Sequence, residues 1–143
     1  MFPMVSSVEE FTQTKSFALN VAQKYQLDIS HLRFGIMIEV PSVLLLLESF
    51  NNVVDFYSIG TNDLTQYLFA IERTHPLLKA DALSPALFSA IEIILNKATK
   101  PVSICGELAA NKNAIPKLLN LGMEILSVSP KSIAQTKEEI RYV

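Results

Sequence analysis

The chain has no tryptophan, one cysteine and four glycines, and the cysteine count removes a class of protein. A single cysteine cannot close an intramolecular disulfide, so a disulfide-stapled scaffold is excluded and a reducing compartment fits. An excess of positive charge is also missing. Twelve Lys and Arg stand against 14 Asp and Glu, for a net charge of −2, and no basic surface argues for nucleic acid. Long apolar runs are missing too. The strongest, Val43 to Leu47, is far shorter than the roughly 20 residues a membrane span needs. The N-terminus has no basic region before an apolar stretch, so it does not read as a secretory signal. What remains is a chain of 143 residues, half of them apolar, which is enough for one domain with a real core. A soluble cytoplasmic protein is the expectation.

The apolar residues are organised as short runs that alternate with helix signals. Met1-Phe2-Pro3-Met4 starts abruptly and reads as the end of a strand. Ser7 and Glu10 form a capping-box pattern, which predicts a helix to about Tyr25 with Val8, Phe11, Phe17, Val21 and Tyr25 on its apolar side. A strand over Gly35–Val40 precedes a helix from about Ser42 to Phe50. A strand over Asp55–Gly60 precedes a helix near Leu64–Glu72, with Asn62 or Asp63 as its cap. Ser84-Pro85 is an N-cap followed by proline at the first helical position, opening a helix to about Ala98. Strand Val102–Cys105 precedes a helix near Asn113–Asn120, with Pro116 in its first turn and Gly122 at its C-terminal end. Strand Glu124–Val128 follows, and Ser132 with Gln135 opens a last helix. Strict β-α alternation implies a parallel sheet with right-handed crossovers. About four and a half units are present, where a complete eight-unit barrel needs roughly 250 residues. The fold is therefore an α/β half barrel or a small open sheet.

Three of these runs end in chemically able residues: Glu39, Asn62-Asp63 and Cys105. The carboxyl ends of parallel strands gather at one face, so these groups are expected to meet there. Glu39 interrupts an apolar strand, and a buried carboxylate is costly unless it is paired or bound to metal. Asn62 and Asp63 each suit a plain helix cap. Alternatively, the helix start and the Asn62 amide hold a phosphate, and Asp63 with Glu39 holds a magnesium ion, which takes one or two protein carboxylates plus substrate oxygens. Cys105 is either a small buried apolar residue or a proton donor, and Gly106 beside it would allow close approach of a ligand. Arg73 is a solvated helix-end residue or a phosphate clamp. Gln66 and Glu107 are supporting partners of these groups or ordinary first-turn residues. His75, in a His-Pro linker, is a weak candidate.

Phe56-Tyr57-Ser58-Ile59-Gly60-Thr61-Asn62-Asp63-Leu64-Thr65-Gln66-Tyr67 closely resembles the signature of the phosphoenolpyruvate-utilising enzymes. Met1–Val5, Gly35–Pro41 and Cys105-Gly106-Glu107-Leu108-Ala109 match the family's other blocks in order, so the likeness covers essentially the whole chain. Ser58–Thr61 and Leu108-Ala109 look most like the phosphoenolpyruvate–protein phosphotransferase branch. Pyruvate phosphate dikinase and phosphoenolpyruvate synthase are the neighbouring alternatives. The resemblance implies a TIM-type (β/α)8 barrel, of which residues 1–143 would be the C-terminal half, with about four parallel strands. It implies Glu39 and Asp63 as magnesium ligands, Asn62 and Arg73 as phosphate ligands, and Cys105 as the acid–base residue at the methylene carbon of pyruvate enolate. The family moves the phosphoryl group of phosphoenolpyruvate to a protein histidine and releases pyruvate. Neither His31 nor His75 matches the phosphohistidine motif. The remaining strands and arginines, the phosphohistidine domain and the domain that docks the phosphocarrier protein would lie elsewhere. The chain alone is expected to be inactive in the full reaction. A homodimer, or a non-catalytic assembly module that covers its open sheet edges, is the expectation for its assembly.

Overall fold

A computed structural model describes all residues 1–143. Helix α1 spans Val8–Lys24. It is followed by strand β1, Ile36–Ile38, helix α2, Ser42–Phe50, strand β2, Tyr57–Gly60, and helix α3, Thr61–Phe69. Helix α4 covers Pro85–Lys97 and strand β3 Val102–Cys105. Helix α5, Ile115–Asn120, strand β4, Ile125–Leu126, and helix α6, Ile133–Arg141, complete the chain.

The four strands form one parallel sheet in the order β1-β2-β3-β4. Each new strand adds beside the previous one, with no reversal of direction across the sheet. A doubly wound fold reverses its strand order at a switch point, whereas a barrel does not. The sheet is thus a partial TIM-type barrel that does not close. Phe2 adds a rudiment of one more strand. It bridges Ile36 in parallel, its N–H donating to Gly35 O and its carbonyl accepting from Met37 N, both at 2.9 Å. This bears out the reading of Met1–Met4 as a strand end.

Side chains alternate across a strand, and here the two faces differ in kind. Ile36, Ile38, Tyr57, Ile59 and Ile104 point into one core of 22 buried residues together with Val43, Leu47 and Phe50 of α2, Leu64 of α3, Leu87, Ile91 and Ile94 of α4, and Leu118 of α5. Each such side chain contributes about 1.5–3 kcal/mol by leaving water. The other face carries Met37, Ser58 and Ser103 in lateral register, with Gly60 beside Cys105 one step further along. Alternation places Glu39 on this second face as well. The α2 run cannot bury every apolar residue at 3.6 residues per turn: Val43, Leu44, Leu47 and Phe50 are buried, while Leu45 is exposed.

Several expectations are corrected. In α1 only Phe11 and Ala22 are buried, and Phe17, Val21 and Tyr25 are exposed, because only one stripe of this helix packs on the core and no further element covers the next. Ser7 caps α1 by accepting from Glu10 N at 3.2 Å, but the Glu10 carboxylate reaches back to Ser6 N and Oγ, not to the cap residue. Asn62 and Asp63 do not cap α3. They lie inside its first turn, since the helix starts directly after Gly60 without a loop. Arg73 does not end that helix, which stops at Phe69 with Ala70 in the left-handed region. Strand β4 is shorter than expected, with two paired residues. Glu107 opens a short 3-10 turn ahead of α5.

Candidate functional site

Glu39 immediately follows β1 and is 2% exposed. Its Oε1 accepts from Met4 N at 2.6 Å, which ties the strand rudiment at Met1–Met4 to the carboxyl end of β1. Its Oε2 lies against Gly60. Burial pushes the Glu39 carboxyl above its ordinary range, opposed by the Met4 N–H, and the Asp63 carboxylate close by pushes it further up. Gly60 makes this placement possible. A Cβ on residue 60 would lie 2.8 Å from Glu39 Oε2 and 2.8 Å from Met37 Sδ, too close for either.

The passage from β2 into α3 without a loop sets Thr61, Asn62 and Asp63 at a helix N-terminus, where free N–H groups and the helix dipole favour anions. Thr61 is buried and its hydroxyl donates to Cys105 O at 2.7 Å, fastening the end of β3 to the start of α3. Asn62 Oδ1 accepts from Glu107 N at 3.2 Å. That bond orients the amide and leaves Nδ2 as a donor with no protein partner. Asp63 turns toward Glu39.

Cys105 ends β3 directly beside Gly60. Its thiol donates to Ile59 O at 3.4 Å and accepts from Ser58 Oγ at 3.7 Å. Gly106 follows at φ +91, with Thr61 and Asn62 packed where a side chain would stand. Arg73 lies in the turn after α3. Its backbone N–H donates to Gln66 Oε1 at 3.3 Å, and its guanidinium donates to Glu107 Oε1 at 2.7 Å. Asn62, Gln66, Arg73, Lys79 and Glu107 line a cleft of about 370 Å³. A second cleft, of about 410 Å³, opens on the other side of Asn62 and Glu107, toward Ser127 and Ser129. Glu39, Asp63 and Cys105 line neither. The structure therefore forms two groups. Glu39, Asp63 and Cys105 gather around Gly60, and Arg73 joins Asn62 through Glu107. Asn62 and Asp63, adjacent in sequence, connect the two.

The family model described as the PEP-binding domain of PEP-utilising enzymes matches residues 1–143. The chain belongs to this family. Curated relatives agree. A phosphoenolpyruvate-protein phosphotransferase from Priestia megaterium is 37% identical over 100% of this chain and 26% of its own length. A protein of the same name from Bacillus subtilis is 36% identical over 98% of this chain and 26% of its own length. A multiphosphoryl transfer protein from Rhodobacter capsulatus is 37% identical over 99% of this chain and 18% of its own length. The PEP-binding domain thus spans about a quarter or less of these relatives, and its family is one of phosphotransferase enzymes.

The groups present fit a divalent cation. A buried carboxylate facing a second carboxylate is a pair whose repulsion a cation removes. No group of three or more His, Cys, Asp or Glu is placed to hold a metal ion, so a cation here would draw its remaining ligands from water or substrate. No helix of the domain is long and apolar enough to cross a membrane.

Sequence reasoning placed Glu107 and Gln66 as possible supports, and both contact Arg73. It passed over Ser58, Thr61 and Lys79. The period-2 alternation of β2 puts Ser58 on the face of Gly60, which was a usable signal. Lys79 carried none, because the linker between α3 and α4 has no periodic pattern.

Proposed function

We propose that residues 1–143 act as a single PEP-binding domain, the C-terminal part of a TIM-type barrel, in an enzyme that transfers a phosphoryl group from phosphoenolpyruvate to a protein histidine and releases pyruvate. The observation that carries this reading is the Glu39–Asp63 carboxylate pair, set beside the free Asn62 amide at the carboxyl ends of parallel strands. Glu39 and Asp63 would hold Mg2+, which supplies charge neutralisation at the phosphate oxygens. Asn62 Nδ2 and the α3 N-terminus orient the phosphate. Arg73 supports it once its bond with Glu107 is exchanged for phosphate oxygens. Cys105 protonates the methylene carbon of pyruvate enolate. Catalysis of this kind is mostly positioning and charge stabilisation.

The domain by itself does not complete the reaction in this proposal, since no histidine acceptor lies in the site, and His75 holds a turn by accepting from Leu77 N and Leu78 N. The phosphocarrier protein engages parts of the enzyme outside these residues, in a cytoplasmic and homodimeric assembly. Calorimetric titration of phosphoenolpyruvate, with and without magnesium and beside Glu39→Ala, tests the site. Magnesium-dependent binding that is lost in the variant is expected. Binding that ignores both magnesium and the substitution, or no binding at all, overturns it.

A further inference from the structure

We infer that Ser58 is a positioning residue for the Cys105 thiol, holding the sulfur between two consecutive residues of β2 and stabilising it after the proton has left. The inference rests on the reading of Cys105 as the proton donor and deepens it. Ser58 is 5% exposed, in mid-strand on the face shared with Gly60. A buried hydroxyl has to donate somewhere, and its acceptor here is Cys105 Sγ, at 3.7 Å. The thiol proton in turn points to the Ile59 carbonyl, at 3.4 Å. Both contacts come from the strand paired with β3, so the sulfur is fixed against the sheet rather than free to turn with its own side chain. By contrast, Ser103, the neighbour of Ser58 in register, donates to Tyr57 O at 3.3 Å and contributes nothing to the sulfur.

The chemical consequence follows from the direction of the bonds. In the protonation step the S–H bond breaks and a C–H bond forms at the methylene carbon, using the π electrons of the enolate. The sulfur keeps the S–H pair as a thiolate. At that moment the thiol can no longer donate to Ile59 O, whereas the Ser58 hydroxyl still donates to sulfur. A hydrogen bond to a charged acceptor is stronger than one to a neutral acceptor, so Ser58 favours the product side of the step. In the reverse direction it favours the thiolate that removes a proton from pyruvate. Glu39 and Asp63, gathered with Cys105 around Gly60, oppose a further negative charge there when no cation is bound. Arg73 is engaged by Glu107 here and by phosphate oxygens in the proposed reaction, which leaves the neutral Ser58 hydroxyl as the group that accommodates the thiolate.

The chain has one cysteine, so iodoacetamide alkylation reports on Cys105 alone, without substrate or metal. In Ser58→Ala the rate of alkylation at neutral pH is expected to fall roughly 2- to 10-fold, the worth of one hydrogen bond to the sulfur. Ser58→Thr, which keeps the hydroxyl and suits a strand, is expected to retain the parent rate. Ser58→Val against Ser58→Thr isolates the hydroxyl at equal shape should the alanine variant fail to fold. An unchanged rate in folded Ser58→Ala, or identical rates for Val and Thr, overturns the inference. Because this assay contains no phosphoenolpyruvate, its outcome is independent of the binding test above. Deuterium exchange at the methyl carbon of pyruvate, measured in the complete enzyme, is expected to slow in Ser58→Ala at unchanged KM. A raised KM at unchanged exchange rate would also overturn it.

Discussion

Gly60→Ala probes the centre of the site with a single methyl group. The new Cβ would stand 2.8 Å from Glu39 Oε2, 2.8 Å from Met37 Sδ and 2.9 Å from Met37 Cγ, about 0.6 Å inside ordinary contact. Met37 is a flexible thioether and only half-buried, so it can yield. Glu39 cannot yield freely, because Met4 N holds its other oxygen at 2.6 Å. The methyl therefore either stretches that bond or turns the carboxylate away from Asp63. Overpacking of this kind costs about 1–3 kcal/mol, which lowers Tm by about 2–12 °C in a domain of this size. The decisive quantity is the gain in Tm on adding magnesium. The parent domain is expected to gain, and Gly60→Ala to lose most of that gain. Gly122→Ala is the control. It has no atom within 4 Å of the added methyl but sits at φ +90, so it costs about 1 kcal/mol of backbone strain and keeps the magnesium response. Differential scanning calorimetry on the three proteins measures both effects. A Gly60→Ala domain with an undiminished magnesium response would refute the placement of Glu39 as a cation ligand.

Four further outcomes are expected. Glu39→Gln keeps an acceptor for Met4 N while removing the repulsion from Asp63, so it should raise Tm without metal at neutral pH and abolish the magnesium response; a fall in Tm would count against it. Metal-free stability should decline as pH rises above about 4.5, because the native state holds the Glu39 proton more tightly than the unfolded chain does; a pH series of unfolding curves, absent in Glu39→Gln, checks this. Burial pushes the Tyr57 hydroxyl up to about 12 from 10.0. Stability should therefore fall further between those values, and Tyr57→Phe should remove that alkaline step while costing about 1 kcal/mol for the lost bond to Asn51 Oδ1. Arg73→Lys should change stability by less than about 1 kcal/mol, since the Glu107 pair is solvent-exposed, yet weaken phosphoenolpyruvate binding because an ammonium cannot clamp phosphate with two parallel bonds; equal affinity by calorimetry would remove Arg73 from the site.

The sequence by itself determined the order of strands and helices, the parallel sheet and the family. Those follow from local pattern: apolar runs of strand length, Ser84-Pro85 at a helix start, Gly122 after a helix end, and a long contiguous signature. It also determined that Glu39, Asn62-Asp63 and Cys105 would stand at or near the carboxyl ends of their strands, because parallel pairing gathers those ends at one face. Only the tertiary structure decided what each group touches. The close approach of Glu39 to Gly60, the turn of Asp63 toward Glu39, and the bond from Ser58 to Cys105 depend on the lateral register of β1, β2 and β3, which no single strand encodes. The engagement of Arg73 by Glu107 joins residues 34 apart in sequence through a linker without periodicity. The α1 face showed the converse failure. Its helical spacing of Phe17, Val21 and Tyr25 was real, but spacing says only that side chains share a direction. Whether anything lies in that direction to bury them is a property of the assembled sheet, and here nothing does.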